Sequence, residues 1–177
     1  MDAALKLKLV LSVSLFVAVA LCFVATAKTK SYFGLSAVTL GVDPGYSAED
    51  FRAIVACNAA TVRSRFVVPI LFPIDLLLLV CLGGFLAMTS LALGEPARVP
   101  VAIIPLLVVV PVLYVACDLA ENWLFAWLML LPNAQAIPDS VVGFARVATI
   151  GKLYFAGLGI AQTLLLAVAT CFYWLRP

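Results

Sequence analysis

Four long apolar runs dominate this chain, and one extended polar segment separates the first from the second. The runs cover about residues 9–27, 66–93, 99–131 and 147–175, and the third contains Pro105 and Pro111. About 20 residues of helix cross the hydrocarbon core of a bilayer. Lipid offers nothing to an unpaired backbone amide, so helices are the expected way across. The pattern therefore predicts an all-α, integral membrane four-helix bundle forming a single domain over residues 1–177.

The polar segment, residues 28–65, opens with Lys28 and Lys30 and continues through VDPGYSAED, residues 42–50. Pro44 and Gly45 predict a turn. Ser47, with Asp50 three residues on, predicts a helix start with a capping box. Phe51, Ile54, Val55 and Val62 fall near one helical face, flanked by Arg52 and Arg63. An amphipathic helix over about residues 47–62 follows, either lying among lipid headgroups or packing on the bundle as a connector. The first run has two readings as well. MDAALKLK, an apolar stretch and then Ala25-Thr26-Ala27 fit a secretory signal with a cleavage site, although a retained first span is the preferred expectation.

Composition supports the membrane reading. Hydrophobic residues make up 66% of the chain and charged residues 11%, with a mean hydropathy of +1.19. Soluble domains carry about 25% charged residues, so this chain lacks the means to cover a water-facing surface. The bilayer is thus its first expected partner. A net charge of +2 without a basic run gives no ground for nucleic acid. The absence of histidine removes bis-histidine haem and histidine-based metal sites. The five cysteines are widely spaced without a CxxC pair and read as small buried hydrophobes. Neither a metal nor a cofactor is expected. Gly83, Gly84, Gly151, Gly157, Gly159 and Ala161 read as points of close helix contact. Lysine and arginine are divided four (Lys6, Lys8, Arg98, Arg176) against seven (Lys28, Lys30, Arg52, Arg63, Arg65, Arg146, Lys152), which predicts that the two larger loops, about residues 28–65 and 132–146, lie in the cytoplasm and define a loop face.

Against this background CDLAENW, residues 117–123, is anomalous. Asp118, Glu121 and Asn122 have spacings of three and four and share one side of a helix. A charge near the bilayer centre costs at least about 2.5 kcal/mol on insertion scales, so that side should face protein. At about 1.5 Å of rise per residue, Asp75 lies about 15 Å in from the face bearing the two larger loops, with Glu121 and Asn122 at a similar depth. Lys152 enters from the same face to about 9 Å. Asp75, Asp118, Glu121, Asn122 and Lys152 are therefore expected to converge, with Tyr114 and Trp123 lining the pocket, Arg146 at its margin and Trp127 as an interfacial anchor. Three carboxylates against one or two cations leave an imbalance, which a retained proton, a bound cation or water could relieve.

The first-loop helix, FPIDLL at 72–77, DLAEN at 118–122 and GKLYF at 151–155 together resemble small four-span bacterial membrane proteins of unknown function. That resemblance implies a bacterial inner membrane and no particular activity. The arrangement is also similar in architecture to the emopamil-binding sterol isomerase superfamily, which places acids, an asparagine and tryptophans in a membrane pocket. Histidine is absent here and no motif aligns, so that likeness is fold-level analogy.

Three function classes fit. A binding or accessory protein would hold a lipid, an amphipathic amine or the basic side chain of another membrane subunit at the acidic pocket. An intramembrane enzyme would use Asp118 and Glu121 as catalytic acid and base on a lipid-like substrate, with Asn122 orienting. A proton- or cation-coupled transport component would use the same acids as its site.

Overall fold

The computed structural model describes residues 3–32, 44–58 and 60–175; the side chains of Lys30, Val62 and Arg176 lie outside what is described. The protein is an all-α bundle. Four helices are long and apolar enough to cross a membrane, and no strand occurs among the described residues.

Helix α1, Ala3–Tyr32, runs unbroken through residues 25–27. Helix α2, Ala48–Cys57, starts at a complete capping box between Ser47 and Asp50. The Ser47 N–H and hydroxyl both donate to the Asp50 carboxylate, at 2.6 and 2.8 Å. These bonds hold the Asp50 carboxyl below the usual carboxylate range. The box therefore contributes above the ordinary carboxylate pKa and is lost as pH falls through the lowered one. The expected single helix over residues 47–62 is two pieces. Asn58 is extended, at φ −111° and ψ 132°, and helix α3, Ala60–Arg65, follows it. Phe51 and Val55 are buried in α2, which favours the packed connector over a helix lying on headgroups.

The second run is not a single straight helix. Phe66–Asp75 is kinked, with extended backbone at Val68 and Phe72, and regular helix α4 spans Leu76–Gly94. Each extended residue precedes a proline, Pro69 or Pro73, whose ring disfavours the helical conformation in its neighbour. In the third run a 3₁₀ turn, Ile104–Val108, leads into α5, Val109–Leu130. Pro111 sits in the first turn of α5, where its missing N–H breaks no helical bond. Helix α6, Asp139–Trp174, begins eight residues earlier than hydropathy suggests. Its 36 residues span about 54 Å, so its first turns project past a hydrocarbon core of about 30 Å.

Helix α5 packs most extensively on α6, and α1 lies against α4. The apolar core is concentrated at the loop face. There Phe51 and Val55 of α2 meet Phe66, Ile70 and Leu71 of the kinked segment, Phe125 and Leu128 of α5, and Val142 and Ala145 of α6. This placement has a physical basis. Within hydrocarbon, apolar side chains gain little by leaving lipid; near the aqueous face, removing them from water is strongly favourable.

Buried Arg63 fastens α3 to this end of the bundle. Its guanidinium donates to the carbonyls of Met129 and Leu131, at 2.9 and 2.6 Å. These are among the last carbonyls of α5, which lack helical partners and sit at the negative end of the helix dipole. Arg63→Met is expected to lower stability by about 1.5–3 kcal/mol, as for hydrogen bonds from a charged donor. Thermal unfolding in detergent checks this, and an unchanged midpoint would remove Arg63 from the account of stability.

Candidate functional site

Helix α5 presents Tyr114, Asp118, Glu121 and Asn122 on its buried side. Helix α6 faces it with Thr149 and Lys152, three residues apart and so on one face. The two helices approach closely at Gly151, where a Cβ would stand 2.8 Å from Cys117 Sγ. A larger residue there would hold α6 away and withdraw the neighbouring Lys152 from the carboxylates.

The Lys152 ammonium bridges two acids. It donates to Asp118 Oδ1 at 3.1 Å and to Glu121 Oε2. Glu121 is 0% and Asp118 5% exposed. Burying either charge unpaired would cost several kcal/mol by about the usual desolvation estimate, so the bridge is a condition of burial. The remaining lone pairs are also engaged. The Thr149 hydroxyl donates to Glu121 Oε1, and the Tyr114 hydroxyl donates to Asp118 Oδ2 at 3.2 Å. Asn122 Nδ2 donates to Asp75 Oδ2 at 2.7 Å, which joins the kinked segment to α5 beside the cluster.

The network extends outward to Tyr46, whose hydroxyl lies 2.9 Å from Thr149 Oγ1. Burial, offset in part by the bond to Thr149, pushes the Tyr46 phenol up to about 12, so it keeps its proton at neutral pH. A threonine hydroxyl has one proton to give, and the Glu121 carboxylate is a stronger acceptor than a neutral oxygen. Tyr46 therefore donates to Thr149, and Thr149 donates to Glu121. One chain of polar contacts runs from Tyr46 through Thr149, Glu121, Lys152 and Asp118 to Tyr114.

Of the residues expected at the pocket, Tyr114, Asp118, Glu121 and Lys152 stand in this chain, and Asp75 and Asn122 adjoin it. Trp123 does not line it. One residue past Asn122 is a rotation of about 100° around the helix, and Trp123 is turned outward at 69% exposed. Arg146, in the projecting first part of α6, is exposed and stands at the margin of the network, near Tyr46. Gly157 faces open space and Ala161 is exposed, so neither is a point of close helix contact.

Sequence reasoning missed Thr149 and Tyr46. Thr149 had a signal, since it precedes Lys152 by three residues on the same face. Tyr46 had none, because its contact is made 103 residues away. A separate polar contact was also missed. Gln162 on α6 donates to Ser90 of α4 at 2.9 Å and to the Leu107 carbonyl at 2.8 Å, an interhelical tie of the kind that fixes helix register in membranes. An open surface hollow lined by Arg52, Ala53, Ala56, Ala134 and Gln135 shares no residue with the cluster. Among the described residues, no group of three or more His, Cys, Asp or Glu is placed to hold a metal ion.

No family model matches the chain, and neither the curated proteins nor the solved structures include a significant match to it.

Proposed function

We propose that the protein is a membrane-embedded binding protein whose acidic cluster receives the cationic group of an amphipathic amine. One observation carries the reading: a single ammonium, Lys152, is shared by two buried carboxylates, Asp118 and Glu121. With both carboxyls ionised, two negative charges and one positive charge leave one uncompensated, and in a low-dielectric site that charge favours a second cation over a retained proton. The wide apolar faces of the spanning helices suit a ligand that arrives through lipid. A basic side chain of another membrane subunit would offer the same chemistry. A bacterial inner membrane, with the larger loops in the cytoplasm, belongs to the same proposal.

Asp118→Asn is the discriminating variant. It removes the excess charge and leaves Lys152 paired one-to-one with Glu121, so the bundle is expected to stay folded. The measurement is thermal unfolding of the full chain in lipid nanodiscs with dodecylamine, against dodecanol as the uncharged control. Near-saturating amine is expected to stabilise the unsubstituted protein by about 2–3 kcal/mol, as for ligand at roughly 100 times its Kd. Dodecanol is expected to have little effect, and the amine's effect to vanish in Asp118→Asn. An equal shift in both proteins would end the proposal.

A further inference from the structure

The polar chain ends outward on Tyr46, which belongs to none of the spanning helices. We propose that residues 44–57 form a strap that closes the loop-face entrance to the carboxylate–lysine cluster and opens as a unit about Asn58. The inference does not depend on what the cluster binds.

Its first support is the position of Tyr46. The ring is buried, edge-on to Phe51 and Phe125 at 5.5 and 5.6 Å between centroids. Its hydroxyl covers Thr149, which in turn covers Glu121. Lifting Tyr46 uncovers the outer end of the chain.

The second support is how the strap is bounded. It carries the turn of Pro44 and Gly45 and ends at the extended backbone of Asn58, where the helical hydrogen bonds of α2 stop. Beyond Asn58, α3 is fastened to α5 by buried Arg63. The division between a docked segment and a fixed one therefore falls at Asn58.

The third support is the kind of attachment. Helix α2 buries one face only; Glu49, Ala53 and Ala56 on its other side are exposed. A helix of 10 residues is marginal by itself in water, so its order depends on docking. At its outer side Arg52 pairs with Asp139 and donates to the Ile137 carbonyl at 3.2 Å. That pair is solvent-exposed, with side chains at 37% and 76%. It is a latch that can release without unfolding the spanning helices.

The test is chemical access to Glu121 in the full chain in lipid nanodiscs. A water-soluble carbodiimide with glycinamide modifies accessible carboxyl groups, and peptide mass spectrometry reads each site. In the unsubstituted protein, Glu121 is expected to react far more slowly than exposed Glu49. Arg52→Ala removes the ion pair and the bond to the Ile137 carbonyl and should accelerate Glu121 on the order of tenfold; Asp139→Ala removes the ion pair alone and should accelerate it roughly threefold. Exposed Glu95, outside the strap in the loop after α4, should not change. Hydrogen exchange on the same samples should show residues 51–57 quickening by the same factor while residues 118–126 hold. Two results would overturn the strap: Glu121 reacting as fast as Glu49 from the outset, or both variants loosening residues 51–57 with no gain at Glu121.

Discussion

Lys152→Met is expected to cost about 3–5 kcal/mol of stability, the range for removing one partner of a buried ion pair. The reason is what remains behind. Asp118 and Glu121 are both buried, and the ammonium between them is the cation that the structure places in contact with either. Without it, two like charges face each other across little solvent. Methionine has a similar length and packs well, so lost volume contributes little. The same reasoning gives an internal control. Adding Asp118→Asn and Glu121→Gln to Lys152→Met removes the orphaned charges, and the triple variant should recover most of the loss. Midpoints of thermal unfolding in a mild detergent, with elution volume as the check on folding, decide the matter. A triple variant no more stable than Lys152→Met would mean that the loss comes from packing and that charge pairing does not govern the cluster.

The second large effect is expected at Phe51. Its side chain is fully buried and lies 5.3 Å from the Phe125 ring, centroid to centroid. Truncating a buried phenylalanine costs about 3–5 kcal/mol. Where that loss is felt depends on what α2 is coupled to. A short helix held by one face can undock before the bundle unfolds, and local opening then absorbs the cost. Phe51→Ala should therefore raise hydrogen exchange across residues 51–57 by roughly 100-fold or more, given about 1.4 kcal/mol per tenfold change in an opening equilibrium. Residues 118–126 of α5 should be nearly unaffected. A fall in the global unfolding midpoint with no selective change at 51–57 would show instead that α2 and the spanning helices form one cooperative unit.

Much of the site is legible in the sequence, for a specific reason. Charged residues are scarce in apolar runs, and helical rise converts sequence position into depth. Asp118, Glu121 and Lys152 therefore advertise both their rarity and their level. Asp75 meets Asn122, as the same arithmetic expects, but through a segment of a different shape. Pro69 and Pro73 break regular rise just ahead of it, and the run was read as continuous helix because hydropathy is blind to proline geometry. Trp123 was misplaced because nearness along the chain was read as nearness to the site, whereas adjacent helical residues diverge by about 100°. The break at Asn58 escaped because a short amphipathic pattern continues across it.

The class of protein follows from the amino-acid order alone: an all-α chain with four runs that can cross a membrane, and a band of acids and a lysine compelled to face inward. Hydropathy and the cost of unpaired charge in lipid suffice for that, since both act residue by residue. Helix packing sets which groups pair, that Thr149 and Tyr46 carry the network out to the loop face, and that Phe51 of α2 packs against Tyr46 there. Those outcomes depend on contacts between residues as far as 103 positions apart. The relative rotation and spacing of packed helices set such contacts, and no local pattern in the chain encodes them.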